Sequence, residues 1–167
     1  MGIQARNPNE DDEESDVTAS GEPIDAAYDG GVGAALLREV DHVAIVVADL
    51  AEAIAEHRER FGVLVTDREE LHDEAAEVAF LEVGASSILL IAPTDDDSEY
   101  AEFLAEGGPG LHHLGYRVAD CAAALEALAE AGAELLDEAP VPGPRGSKVA
   151  YVHPDAAAGV LVQLVER

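Results

Sequence analysis

The chain is short of several residue types, and each shortage excludes something. Cysteine occurs once, at Cys121, so no internal disulfide can form. Cys121 lies in an alanine-rich helical pattern and is expected to be a small buried residue. Tryptophan is absent, and three Phe and four Tyr make up the aromatic content, so the core has to be built from aliphatic side chains. No apolar run approaches the roughly 18 residues that a spanning helix needs. The first residues lack the basic and apolar segments of a secretory leader, so a cytoplasmic location is expected. Positive charge is the scarcest commodity. Lys and Arg number 9 against 36 Asp and Glu, a formal charge of −27, and Lys148 is the sole lysine. Such a surface repels nucleic acid and anionic lipid, so neither is an expected partner. Little lysine with excess carboxylate fits a protein of a salt-loving cell, where charges are screened beyond about 3 Å. An acidic protein from a GC-rich genome shares the same composition.

What is present divides unevenly. Residues 1–35, including "NPNEDDEESDVTASGEP", are acidic and without periodicity, and are expected to be a disordered tail. Residues 36–167 carry regular patterns and are expected to form one α+β domain. "VDHVAIVVADL" has the β-branched content of a buried strand. "DLAEAIAEHRERFG" has helical spacing, with Asp49 as N-cap, Glu52 three residues on, and Gly62 as the stop. "VLVTDREEL", "EVAFLEVG" and "SSILLIAP" follow as three strands. After a linking helix in "SEYAEFLAEGGPG", the order recurs. "LHHLGYRVAD" is a strand, and "DCAAALEALAEAG" a helix capped by Asp120 and stopped by Gly132. "AELLDEAP", "SKVAYVHP" and "GVLVQLVE" are three more strands.

The chain is therefore two tandem β-α-β-β-β modules, at about 40–93 and 111–166. Counting supports the repeat. His42 precedes the cap Asp49 by seven residues, and His113 precedes the cap Asp120 by seven. "VAF" at Val78–Phe80 and "VAY" at Val149–Tyr151 are offset by 71 residues, as are His42 and His113. His113, not its neighbour His112, is the repeat partner of His42. Strand alternation places Asp41 and His112 on the opposite faces, as groups that support the histidines or lie at the surface rather than as ligands.

These stretches, from "DHVAIVVADLAEAI" through "GPGLHHLGYRVAD" to "PGPRGSKVAYVHP" and "GVLVQLVE", resemble the vicinal oxygen chelate (glyoxalase/bleomycin resistance) superfamily, and within it the methylmalonyl-CoA epimerases. The resemblance implies a curved sheet around a cleft that holds a divalent metal such as Co, Mn or Zn. It implies an acyl-CoA substrate, a homodimer, and epimerisation through a metal-stabilised enolate. Of the four metal positions it implies, His42 and His113 fill two, Gln163 stands where glutamate is usual, and Leu89 stands where Glu or Gln is usual. Gln163 can offer a carbonyl oxygen but cannot act as a base, and Leu89 can offer nothing. Glu77 is the candidate base, with Glu82 close by in the same strand. Arg145 and Lys148, scarce cations in one loop, are candidates to meet the CoA phosphates or the substrate carboxylate. Leu89 and Gln163 keep two alternatives open: a lyase or dioxygenase of the same superfamily, and a metal-free binding protein of the same fold.

Overall fold

A computed structural model describes residues 36–167; the expected acidic tail lies outside the described residues. The first module contains β1 (Leu37–Val46), α1 (Leu50–Phe61), β2 (Val65–Leu71), β3 (Ala76–Val83) and β4 (Ser86–Pro93). Helix α2 (Glu99–Gly107) links it to the second module, which contains β5 (Gly110–Val118), α3 (Cys121–Glu130), β6 (Val141–Pro142), β7 (Lys148–Val152) and β8 (Val162–Glu166). The helix starts follow the sequence signals. Asp49 accepts from the backbone N–H of Glu52, and Asp120 from that of Ala123. Gly62 closes α1 in the left-handed region at φ 67°, which a residue without Cβ adopts at no steric cost.

All eight strands form one curled mixed sheet, in the order β2-β3-β4-β1-β5-β8-β7-β6. Within each module the first and last strands pair in parallel, β1 with β4 and β5 with β8. Antiparallel pairing of β1 with β5 joins the modules. The two ends of the sheet curl toward each other: the backbone N–H of Arg145, in the turn before β7, donates to Glu69 Oε2 of β2 at 2.8 Å. No helix among the described residues is long and apolar enough to cross a membrane.

Alternation sorts the side chains to two faces. On β3 and β4, Ala79, Leu81, Leu90 and Ala92 point outward and are covered by Leu50 and Ala53 of α1. Val78, Phe80, Leu89 and Ile91 point inward with Tyr100 of α2. The second module repeats the outer layer, with Cys121, Ala124 and Leu125 of α3 over Ala150, Val152 and Leu164. Cys121 is fully buried there.

One expected strand is largely missing. "AELLDEAP" makes a single bridge, Leu135 with Val152, and the ladder resumes only as the two-residue β6. Pro140 and Pro142 have no N–H to offer a ladder. The Asp137 carboxylate takes over part of the pairing, accepting from the backbone N–H of Tyr151 at 2.7 Å.

Candidate functional site

The concave side of the sheet encloses a cavity, and the matched histidines face each other in it. His42 Nε2 and His113 Nε2 are 3.0 Å apart, with the rings near perpendicular. Gln163 lines the same cavity and pairs on β8 with Gly115 of β5 and Tyr151 of β7. All three side chains are buried. Leu89, Val78, Phe80 and Ile91 form the apolar wall opposite. So His42, His113, Gln163 and Leu89, four positions far apart in sequence, do converge.

Asp41 and His112 do not obey strict alternation. In the β1–β5 ladder Val40 pairs with Tyr116 and His42 with Gly115, which leaves Asp41 without a partner. Ala44 pairs with His113 and Ile45 with Leu111, which leaves His112 without one. Both are bulge residues, and a bulge re-aims the side chain that follows from simple alternation. Asp41 Oδ1 meets His42 Nδ1 at 2.7 Å, and His112 Nδ1 meets His113 Nδ1 at 2.9 Å. The expectation that both face away is thereby corrected. The signal for it was in the sequence: a doubled polar pair, Asp-His and His-His, interrupts an otherwise apolar strand at the same repeat position.

Each bulge residue has its own support. Asp41 is buried, and besides His42 it accepts from the guanidinium groups of Arg117 and Arg167 at 2.8–3.0 Å. Burial alone would raise its pKa, but the hydrogen bonds from His42, Arg167 and Arg117 hold the carboxyl well below the usual range. An ionised carboxylate only accepts, so the His42 proton sits on Nδ1 and the Nε2 lone pair points at the cavity. His112 instead packs its ring against Tyr100 and Phe103 of α2, at 5.2 Å from each. Burial, reinforced by His42 and His112 nearby, pushes the His113 imidazole well below its usual pKa, against the opposing hydrogen bond to Gln163. His113 is therefore a neutral imidazole.

Room for the His42 ring comes from Gly115. A Cβ there would stand 2.3 Å from Cε1 and 2.5 Å from Nδ1 of His42. No pattern in one sequence identifies that glycine, because its constraint is a contact across the β1–β5 ladder.

Glu77 and Lys148 do not join the site. Glu77 shares the outer face of β3 with Ala79 and Leu81, half-exposed and 3.8 Å from Arg68. Lys148 shares the outer face of β7 with Ala150 and lies 3.4 Å from Glu166. A one-residue offset in a strand is enough to exchange faces. Glu82 lies beside a neighbouring polar pocket with Arg145 at 3.8 Å. Arg145 itself sits near the cavity, its guanidinium 4.8 Å above the Phe80 ring. The carboxylate that does line the cavity is Glu74, in the turn between β2 and β3. Tyr100 donates to its Oε2 at 2.7 Å, and Tyr151 lines the same cavity. A second set of potential ligands, Glu134, His153 and Asp155, lies outside this cavity.

Comparison with known proteins agrees with the geometry. Residues 41–151 match the glyoxalase/bleomycin resistance protein/dioxygenase superfamily. The ethylmalonyl-CoA/methylmalonyl-CoA epimerase of Cereibacter sphaeroides is 35% identical over 131 residues, 77% of this chain and 98% of that protein. The crystal structure of methylmalonyl-CoA epimerase from Mycobacterium tuberculosis superposes with a TM-score of 0.76 at 36% identity, covering 84% of this chain and 94% of that one. A Streptomyces coelicolor methylmalonyl-CoA epimerase variant in complex with 2-nitronate-propionyl-CoA gives a TM-score of 0.74 at 31% identity, covering 78% of this chain and 94% of that one.

Proposed function

The chain belongs to the methylmalonyl-CoA epimerases of the glyoxalase/bleomycin resistance protein/dioxygenase superfamily, and from that membership we propose that it interconverts the (R) and (S) forms of methylmalonyl-CoA. The observation that carries this reading is the His42–His113 pair, brought to 3.0 Å inside an apolar-walled cavity by equivalent strands of two modules.

The donor set fits a divalent ion of the zinc or cobalt kind. His42 Nε2 and His113 Nε2 face one another 3.0 Å apart in one cavity, and imidazole nitrogens are usual donors to such ions. Both far ring nitrogens are held by a neighbour, which fixes ring orientation. His42 Nε2, His113 Nε2 and the Gln163 side-chain oxygen would hold the ion, and Leu89 would add nothing. When bound, such an ion supplies Lewis-acid stabilisation of negative charge on the substrate oxygens. As a ligand through Nε2, His113 would carry its proton on Nδ1 and donate it to His112 Nδ1, with the His112 ring as its Nε2–H tautomer.

The carbon that inverts lies between a carboxylate and a thioester. Loss of its proton gives a planar enolate, and a proton added to the other face completes inversion. Leu89, Val78 and Ile91 would receive the short alkyl branch. Arg145, stacked over Phe80 beside the cavity, would meet an anionic part of the substrate, whereas Arg167 lines the cavity but is engaged by Asp41.

The test is exchange of the substrate α-proton for deuterium, followed by NMR with Co²⁺ or Mn²⁺ supplied. The reading requires exchange together with conversion of a single epimer into a mixture of the (R) and (S) forms; a protein that leaves the α-proton untouched would refute it. Leu89 favours a second reading, a superfamily enzyme acting on another substrate, which a preferred substrate without the CoA arm would establish.

A further inference from the structure

We infer that Glu74 is the base that removes the α-proton on one face of the substrate, an assignment that rests on the epimerase reading above. Among the described residues it is the sole carboxylate lining the cavity that holds His42 and His113. The strand-borne positions facing that cavity on β3 and β4 are occupied by Val78, Phe80, Leu89 and Ile91, none of which can take a proton. Gln163 is an amide and cannot either.

The turn that carries Glu74 is built to place it. Ala75 adopts the left-handed region at φ 47°, an uncommon conformation for a residue with a Cβ. Two contacts hold that conformation: Ser98 Oγ donates to the backbone carbonyl of Glu74 at 3.0 Å, and the Thr94 N–H donates to that of Ala75 at 2.8 Å. The carboxylate is then steered by Tyr100, whose ring is almost completely buried and whose hydroxyl donates to Oε2 at 2.7 Å. Tyr100 is thus a positioning residue. Its hydrogen bond leaves Oε1 as the free acceptor, while the open side of Glu74 reaches solvent for proton exchange.

The step balances as follows. The C–H bond of the α-carbon breaks, its electron pair moves into the new C=C bond, and negative charge collects on the thioester oxygen. The proton goes to Glu74, which becomes a carboxylic acid. Water then protonates the opposite face of the enolate, and the hydroxide left behind takes the proton from Glu74. The carboxylate and the water are restored, and the carbon is inverted.

The experiment compares the full chain with its Glu74→Gln variant in D₂O, using methylmalonyl-CoA and Co²⁺ and following α-proton exchange by NMR. Binding of Co²⁺ by each protein is measured in parallel by calorimetry. The expected result is a loss of exchange by about 10²–10⁴-fold, the usual contribution of a positioned base, with Co²⁺ affinity unchanged because Glu74 is no ligand. Equal exchange rates in the two proteins would overturn the role of Glu74 and leave the epimerase reading standing. Parallel loss of exchange and of Co²⁺ affinity would make Glu74 part of the metal site and overturn its role as base. A parent protein that exchanges nothing would sink both.

Discussion

The two modules deliver matched histidines but back them differently. In the first, a bulge aims Asp41 at Nδ1 of His42, and that carboxylate is itself gripped by Arg117 and Arg167. In the second, the equivalent bulge aims His112 at Nδ1 of His113, and His112 is held by aromatic packing alone. One imidazole is thereby fixed as the Nδ1–H tautomer by a permanent negative charge. The other is left able to choose its tautomer. A duplicated fold need repeat only the backbone that places a donor; the groups that tune it are free to diverge.

The comparison breaks most completely if either histidine goes. His42→Ala or His113→Ala should each lower Co²⁺ affinity by more than about 100-fold, beyond the 10–100-fold that loss of a supporting group costs. Calorimetric titration measures it, and unequal losses would rank the two halves. Next comes Gly115→Ala. Its new methyl would stand 2.3 Å from the His42 ring, and a displacement of about 1 Å at a reacting group is worth about 100-fold in rate. The loss should appear in α-proton exchange, while His113 keeps its place.

How far the site could be read from the sequence follows the same division. The repeat of 71 residues matches the two histidines, while Gln163 and Leu89 are located through the family resemblance of the strands that carry them. Asp41 and His112 were misplaced, since a bulge suspends the alternation on which a face assignment rests. The family resemblance singles out Glu77, and Glu74 goes unread because it lies in a turn that carries no readable period. Gly115, Tyr100 and Tyr151 matter through contacts between elements, which one sequence does not encode locally.

Asp41→Asn tests the first backing. It leaves Arg117 and Arg167 facing a neutral amide, and removing one partner from a buried ion pair costs about 3–5 kcal/mol. Metal affinity should fall by 10–100-fold, as estimated for a lost second partner of a ligand. The sign with pH is fixed. The Asp41 carboxyl is held below its usual value, so its stabilisation is present above about pH 4 and is lost as the pH falls further. Urea titrations of the two proteins should differ most near neutrality and converge in acid. A gap that persists unchanged below pH 3 would mean that the charge of Asp41 contributes nothing.

His112→Phe tests the second backing and should have the smaller effect. Phenylalanine preserves the ring that packs against Tyr100 and Phe103, so stability should change by less than about 1.5 kcal/mol, as for a swap of similar volume. It removes the Nδ1 that faces His113. His113 then has no acceptor for an Nδ1 proton and is biased toward keeping that proton on Nε2, the atom needed for ligation. Co²⁺ affinity should drop by about 10-fold, the low end for a lost supporting group, because no charge is lost with it. A fall as large as that of Asp41→Asn would erase the distinction between the modules: it would mean that fixing the tautomer, rather than supplying a negative charge, is what each bulge contributes.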